Sequence, residues 1–232
     1  MRIAQISDLH YAEYSEPSFL KHVVEYVNGL RPELVLLTGD FVSMSPLQPH
    51  AARGYAPLCA QVLQALACPL RYACIGNHDW SVGEDVVAES LRAVGIQVLI
   101  NQYVPLERGP DRIWLAGLGT ALGRNFDLPR TLPPHALAAR EPVVMMAHEP
   151  DAWDMIAPYG VDLVLSGHTH GGQVRLPFVP PVFLPEMGAR YVAGHFRQGR
   201  TQLYVNRGVG TVGLPFRFRC PPEVTLLTLE QA

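Results

Sequence analysis

Cysteine is scarce in this chain of 232 residues. Cys59, Cys68, Cys74 and Cys220 are the only four, and no two have Cys-x-x-Cys spacing. That number is too low for a disulfide framework at this length, so they read as small apolar residues in a reducing compartment. Long hydrophobic runs are missing as well: none approaches the roughly 18 apolar residues of a membrane-spanning helix. The strand-like run Arg2 to Ser7 starts at once, leaving no room for the basic and apolar regions of a signal peptide. Net charge is small, -3 with an isoelectric point near 6.3, which gives no general attraction for nucleic acid and points to no specific nucleic-acid partner. Repeats, low-complexity tracts and linkers are absent. These absences predict a soluble, cytoplasmic protein, and 48% hydrophobic residues suffice for one domain over residues 1–232.

What is present alternates. Short apolar, β-branched runs recur as "RIAQIS", "LVLLT", "LRYACI", "IWLAG", "VVMMA", "LVLS", "LYVN" and "VTLLTL", and they read as buried strands, with Met145 and Met146 as core residues. Between the early ones, "SFLKHVVEYVNGL" and "EDVVAESLRAVG" carry apolar residues at helical spacing and end near Gly29 and Gly95. Strand and helix in alternation predict an α/β fold with a layered sheet. Beyond about residue 171 the helical pattern fades, so loops and antiparallel strands are expected. Arg175, Arg190, Arg197, Arg200, Arg207, Arg217 and Arg219 there face only Glu186, Glu223 and Glu230. Residues 175–185, "RLPFVPPVFLP", combine four prolines with apolar residues; prolines forbid a helix and most of a strand, which predicts an ordered or ligand-facing loop.

Asp, His and Asn stand at the ends of five predicted strands. "RIAQIS" runs into Asp8 and His10, "LVLLTG" into Asp40, "RYACIG" into Asn77, His78 and Asp79, "VVMMA" into His148, and "LVLSG" into His168 and His170. In α/β sheets, ligands bind beyond the carboxyl ends of the strands. In an extended segment Asp8 and His10 share one side, as do His168 and His170, so either pair could clasp one ion. Asp, His and Asn without Cys favour Mn, Fe or Zn with open water positions, whereas a closed structural zinc site would more often use Cys. The set is also too large for one ion.

In this order, "DLH", "GD", "GNHD", "AHEP" and "GHTH" resemble the five-block signature of the calcineurin-like metallophosphoesterases, over roughly residues 3 to 170. The extensions "GHTHGGQVRLP", "NRGVG" and "FRCPPEVTLL" resemble the bacterial YkuE- and YaeI-type phosphodiesterase branch. The resemblance implies an α/β fold in four layers, an α-β-β-α sandwich of two mixed β-sheets. It implies two divalent metals, Mn first and Fe or Zn as alternatives. Asp8, His10 and His170 would hold one metal, Asn77, His148 and His168 the other, with Asp40 bridging. His78 would be the general acid or transition-state donor, and Asp79 would orient it. The expected enzyme is a dinuclear metal-dependent phosphohydrolase, a phosphodiesterase in which a metal-bridging hydroxide attacks phosphorus in line.

Two departures refine this. The protein phosphatases of the superfamily carry an arginine-bearing stretch after their "GD"; "GDFVSMS" has no arginine, which argues for diesters. Enzymes of lipid A synthesis most often have Arg where this chain has His78, so a UDP-2,3-diacylglucosamine-type pyrophosphatase is the alternative. A non-catalytic binding scaffold is the alternative of another class, and here no ligand position is missing. The substrate is expected to be a small-molecule or lipid-linked phosphodiester, with a peripheral membrane contact through residues 175–185 and Arg175, Arg190 and Arg207 gathering anionic groups. No protein partner is implied. "GVGTVG", Gly208 to Gly213, matches a dinucleotide fingerprint in spelling, yet Pro215 stands where its helix should open. His22, His50 and His135 read as solvent-facing, and His195 as a residue that could reach substrate.

Overall fold

The computed structural model describes residues 1–12, 17–43, 52–181 and 183–230. The first half of the chain builds β1 (Arg2–Ile6), α1 (Pro17–Leu30), β2 (Leu34–Thr38), α2 (Ala52–Leu63), β3 (Arg71–Cys74), α3 (Asn77–Ala93) and β4 (Gln97–Val98). The second half builds β5 (Gln102–Arg108), β6 (Asp111–Gly117), α4 (Leu128–Thr131), α5 (Pro134–Ala139), β7 (Val143–Met146), α6 (Trp153–Ile156), β8 (Leu163–Ser166), β9 (Gly194–Gln198), β10 (Thr201–Val205) and β11 (Thr225–Thr228).

Two mixed sheets result. One runs β11-β1-β2-β3-β4, parallel except for β11; the other runs β5-β6-β7-β8-β10-β9, with β5 and β9 antiparallel at its edges. Strand alternation divides their side chains among three apolar layers. Ala4, Ile6, Val35 and Leu37 face α1, α2 and α3 on one outer side. Ile3, Leu36, Val144, Met146 and Leu165 fill the space between the sheets. Val143, Met145, Val164 and Leu203 face the short helices on the other outer side. Met145 and Met146 are thus both core residues, in different layers. Burying one such side chain is worth roughly 1.5–3 kcal/mol. The four layers are the expected α-β-β-α sandwich.

One polar contact sets the sheets against each other at the end that matters. Gln5 in β1 donates from Nε2 to the Thr38 hydroxyl at 3.1 Å and to the Ser166 carbonyl at 2.9 Å, all fully buried. The carboxyl ends of β1, β2 and β8 are thereby held together, and every strand that leads into a predicted ligand opens there.

Several elements depart from the expectations. α2 contains Pro57, and β5 contains Pro105, which an edge strand tolerates because it has an unpaired side. α3 starts at Asn77, about two turns before the apolar periodicity that begins at Glu84, and is kinked at Gly83. β10 lies parallel to β8, so the C-terminal portion is not wholly antiparallel.

Candidate metal centre

Beyond those strand ends the structure brings Asp8, His10, Asp40, His78, His148, His168 and His170 to one place. Three groups of side chains lie with ligand atoms within 4.8 Å of one another: Asp8, His10 and His170; His10, Asp40 and His78; Asp40, His148 and His168. Asp40 belongs to two of them. Its Oδ2 is 3.5 Å from His10 Nε2 on one side and 3.1 Å from His148 Nε2 on the other. On the first side, His10 Nε2 lies 2.9 Å from His170 Nε2, and these are 3.9 and 3.5 Å from Asp8 Oδ1.

Carbonyls fix two of the rings. A carbonyl only accepts, so His148 must donate from Nδ1 to Thr38 (2.7 Å), and His168 must donate from Nε2 to Glu186 (2.7 Å). Each ring then turns its other nitrogen to the site, and in its neutral form offers a lone pair there. For His148 that nitrogen faces the Asp40 carboxylate at 3.1 Å, an arrangement that a proton on the ring satisfies here and that a metal cation between the two would satisfy in its place. Burial opposes charge on both groups, but their mutual attraction outweighs it, holding Asp40 well below the usual carboxylate range and His148 well above the usual imidazole range. Burial pushes His10 down to about 3 and His170 well below its ordinary value, so both present neutral nitrogens. Burial, reinforced by the Asp40 charge, lifts Asp8 to about 7. Asn77 adds a buried Oδ1 without a hydrogen-bond partner. This donor set, nitrogen and oxygen without sulfur around a buried carboxylate, fits divalent metal ions.

The backbone is bent to make this cluster. Asp8, His10, Asp40, His168 and His170 have φ of 53°, 50°, 57°, 72° and 51°. Left-handed non-glycine residues cost about 1–2 kcal/mol each, so the surroundings must enforce them. This corrects the expectation from strand alternation: Asp8 and His10 meet through left-handed turns after β1 has ended. His168 and His170 do not clasp one ion together either; they face Asp40 and Asp8 respectively, since the turn at 168–172 swings them apart.

Asp79 is also corrected. It does not orient His78, because its oxygens are taken by backbone N–H groups: Oδ2 accepts from Asp40 (2.8 Å) and Gly76 (3.0 Å), Oδ1 from Phe41 (2.8 Å) and Val42 (3.2 Å). Asp79 binds the Asp40 loop to the start of α3. His78 lies half-buried at the rim, its ring edge-on to His10 at 4.8 Å, its backbone N–H donated to Asp40 Oδ1 at 2.9 Å.

Other residues were not singled out from sequence. Glu149 is buried, accepts from the Thr120 hydroxyl and from the N–H of Ala121, and secures the loop that packs on Trp80 beside His78. Arg217 donates to the Gly210 carbonyl at 2.8 Å and lies 3.1 Å from His170 Nδ1. The glycine series after β10 buttresses Asp8 instead of cradling a nucleotide: Val209 and Gly210 donate to the Ser7 and Asp8 carbonyls at 3.0 and 2.7 Å. His22, His135 and His195 are exposed, the last paired with Gln202; His50 lies outside the described residues. Arg190 pairs with Asp154, and Arg207 lies 3.6 Å from Glu223, so neither is arranged to gather anions as expected.

Comparison with known proteins agrees with the geometry. The profile of the calcineurin-like phosphoesterases matches residues 1–172. The uncharacterized metallophosphoesterase YkuE of Bacillus subtilis is 37% identical over 99% of this chain and 79% of its own length. Phosphodiesterase YaeI of Escherichia coli is 36% identical over 98% of this chain and 82% of its own. The UDP-2,3-diacylglucosamine pyrophosphatase LpxG of Chlamydia trachomatis is 28% identical over 98% and 83%. Among solved structures, a dimetal phosphatase from Danio rerio superposes with a TM-score of 0.59 at 13% identity, covering 90% of this chain and 87% of that one, which speaks for the fold alone.

Proposed function

Because the chain belongs to the calcineurin-like phosphoesterases, hydrolases of phosphoric esters, we propose that it is a phosphodiesterase that works with two divalent metal ions. The observation that carries the dinuclear reading is Asp40, whose Oδ2 faces His10 and His148 from between the two ligand groups. Asp8, His10 and His170 would hold one ion and Asn77, His148 and His168 the other, with Asp40 shared. When bound, such ions supply Lewis acidity toward phosphoryl oxygens and lower the pKa of water near neutrality. Manganese is the metal of choice for this oxygen and nitrogen set, with iron or zinc as alternatives.

The chain's own residues do the rest. The carbonyls of Thr38 and Glu186 hold His148 and His168 in the tautomers that offer lone pairs inward. His78, half-buried and tied down through its backbone, would donate a proton to the departing alkoxide. "GDFVSMS" has no arginine to hold a dianionic phosphate, which supports diesters over monoesters. The reading includes residues 1–232 as one domain, a small or lipid-linked diester as substrate, a cytoplasmic location and a peripheral membrane contact of residues 175–185. No helix among the described residues is long and apolar enough to cross a membrane.

Metal analysis combined with turnover of bis-nitrophenyl phosphate and nitrophenyl phosphate tests this. Two ions per chain and faster diester cleavage are expected; metal-free protein without turnover would make it a binding scaffold. The similarity to LpxG favours one second reading, a UDP-2,3-diacylglucosamine-type pyrophosphatase, which direct assay on that nucleotide-sugar lipid decides.

A further inference from the structure

The loop that leaves the site at Gly172 returns to it. Pro181 packs where a Cβ on Gly172 would come within 2.6 Å, and the Glu186 carbonyl accepts His168 Nε2–H. Between these anchors the chain turns its apolar residues outward. Phe178 is 106% exposed and Phe183 76%, with Leu176 and Val179 about half exposed; Val182 lies outside the described residues. Those described are not part of any core layer.

A second segment stands beside the first. The Arg175 N–H donates to the Phe218 carbonyl at 2.9 Å, the Phe218 N–H donates to the Gln173 carbonyl at 3.0 Å, and Gln173 Nε2 donates to the Leu214 carbonyl at 2.9 Å. This places Leu214, Phe216 and Phe218, each about half exposed, next to the proline-rich loop. A groove of about 400 Å³ runs along residues 176–180 between Arg175 and Arg219. Residues 171–185 and 207–222 contain four arginines and no Asp or Glu, in a chain whose net charge is -3. Arg217 is engaged with backbone carbonyls and Arg207 lies near Glu223, whereas Arg175 and Arg219 flank the apolar residues at the groove.

We propose that these two segments form one docking face for an anionic lipid bilayer, with the exposed phenylalanines entering the acyl boundary and Arg175 and Arg219 meeting lipid phosphates. Protruding rings on a proline-stiffened loop lose little conformational freedom on insertion, and arginines at the rim of an apolar patch complement an anionic surface. Both anchors of the loop touch the turn that carries His168 and His170, so docking would bring the metal centre to the membrane surface. The proposal extends the reading of residues 175–185 and does not rest on phosphodiesterase activity, because binding is measured without turnover.

The test is flotation of the full chain with vesicles of phosphatidylcholine and phosphatidylglycerol, against vesicles of phosphatidylcholine alone. The wild type should float with the anionic vesicles and be released by salt. Phe178→Ser with Phe183→Ser should lower the partition coefficient about tenfold or more. Arg175→Glu with Arg219→Glu should abolish the preference for anionic vesicles. Melting temperature and turnover of a soluble diester should not change; should the double variant unfold, Phe178→Ser alone, at the most exposed position, still reports. Absence of flotation, equal flotation of the serine variants, or a concentration-dependent dimer that these substitutions dissociate would overturn the proposal, the last in favour of a second copy of the chain.

Discussion

Asp79 accepts the backbone N–H of Asp40 at 2.8 Å, so the residue shared by the two ligand groups is positioned from the far side by a carboxylate that faces away from them. Three further N–H groups, of Phe41, Val42 and Gly76, end on the same side chain. Asp79→Ala strands all four in a buried place, which should cost about 3 kcal/mol or more, since each unsatisfied buried donor costs roughly 1–3 kcal/mol. Denaturant unfolding measures the loss. Asp79→Asn separates positioning from mere stability: it keeps the volume but directs an NH2 group at N–H donors. Metal affinity should fall with it, even under conditions where the protein stays folded. Unchanged metal affinity in folded Asp79→Asn would show that the carboxylate only stabilises the fold.

Asp40→Asn removes the charge that both ligand groups face. Metal content should drop below two ions per chain and diester turnover should fall by about a thousandfold or more, because such sites depend on paired ions. Elemental analysis and initial rates at saturating manganese check both. Near wild-type turnover would eliminate the shared-ligand role.

His78→Ala should behave differently. His78 stands at the rim and contributes its ring to only one of the three groups, with His10 and Asp40. Metal content is expected to persist while kcat falls about 100- to 10,000-fold on a diester with an alkyl leaving group, the range of general acid help. With nitrophenoxide, which leaves without a proton, the loss should be much smaller. An equal loss on both substrates would mean that His78 positions or stabilises charge.

The difference between Asp79 and His78 shows what the sequence carries and what it does not. The clustering of the side chains at the site was legible because strand ends are legible: five short apolar runs each stop at Asp, His or Asn, and parallel strands point the same way. The α/β class followed from strand and helix alternation, and the four layers from the family resemblance. The path between neighbours was not legible. Asp8 and His10 suggested an extended segment, yet φ near +50° at both means that steric enforcement by surrounding loops, which has no local signature, sets their directions. Asp79 stood in a motif, but three of its four partners are backbone amides 37 to 39 residues earlier, and amides leave no mark in a sequence. α2 and β5 were hidden by Pro57 and Pro105, residues that argue locally against the elements that tertiary packing enforces.

The cysteines give a prediction independent of the metals. All four are free and buried, and burial pushes the Cys59, Cys68 and Cys74 thiols up from their ordinary values. A thiolate-specific reagent such as Ellman's should therefore titrate none of them in the native protein and all four in denaturant, since reactivity follows thiolate fraction and access. A thiol that reacts rapidly in the folded state would contradict the burial of the cysteine that carries it.

The last prediction concerns Gly208, at the turn after β10. Its φ is 71°, and a Cβ there would lie 2.6 Å from Asp8 Cβ. Gly208→Ala therefore combines a left-handed alanine, at about 1–2 kcal/mol, with a contact that only movement of Asp8 can relieve. Asp8 cannot move freely, because both its oxygens accept the His168 N–H, at 2.9 and 3.0 Å, and its carbonyl accepts from Gly210. The strain should fall on the group of Asp8, His10 and His170 and spare that of Asp40, His148 and His168. Metal titration of the folded variant should show one site weakened about tenfold, corresponding to about 1.4 kcal/mol, and the other close to wild type. Gly213→Ala, also at positive φ but with nothing within 4 Å of its Cβ, supplies the control for backbone strain alone. If both variants weaken metal binding equally, the glycine after β10 matters for its conformation and not for its approach to Asp8.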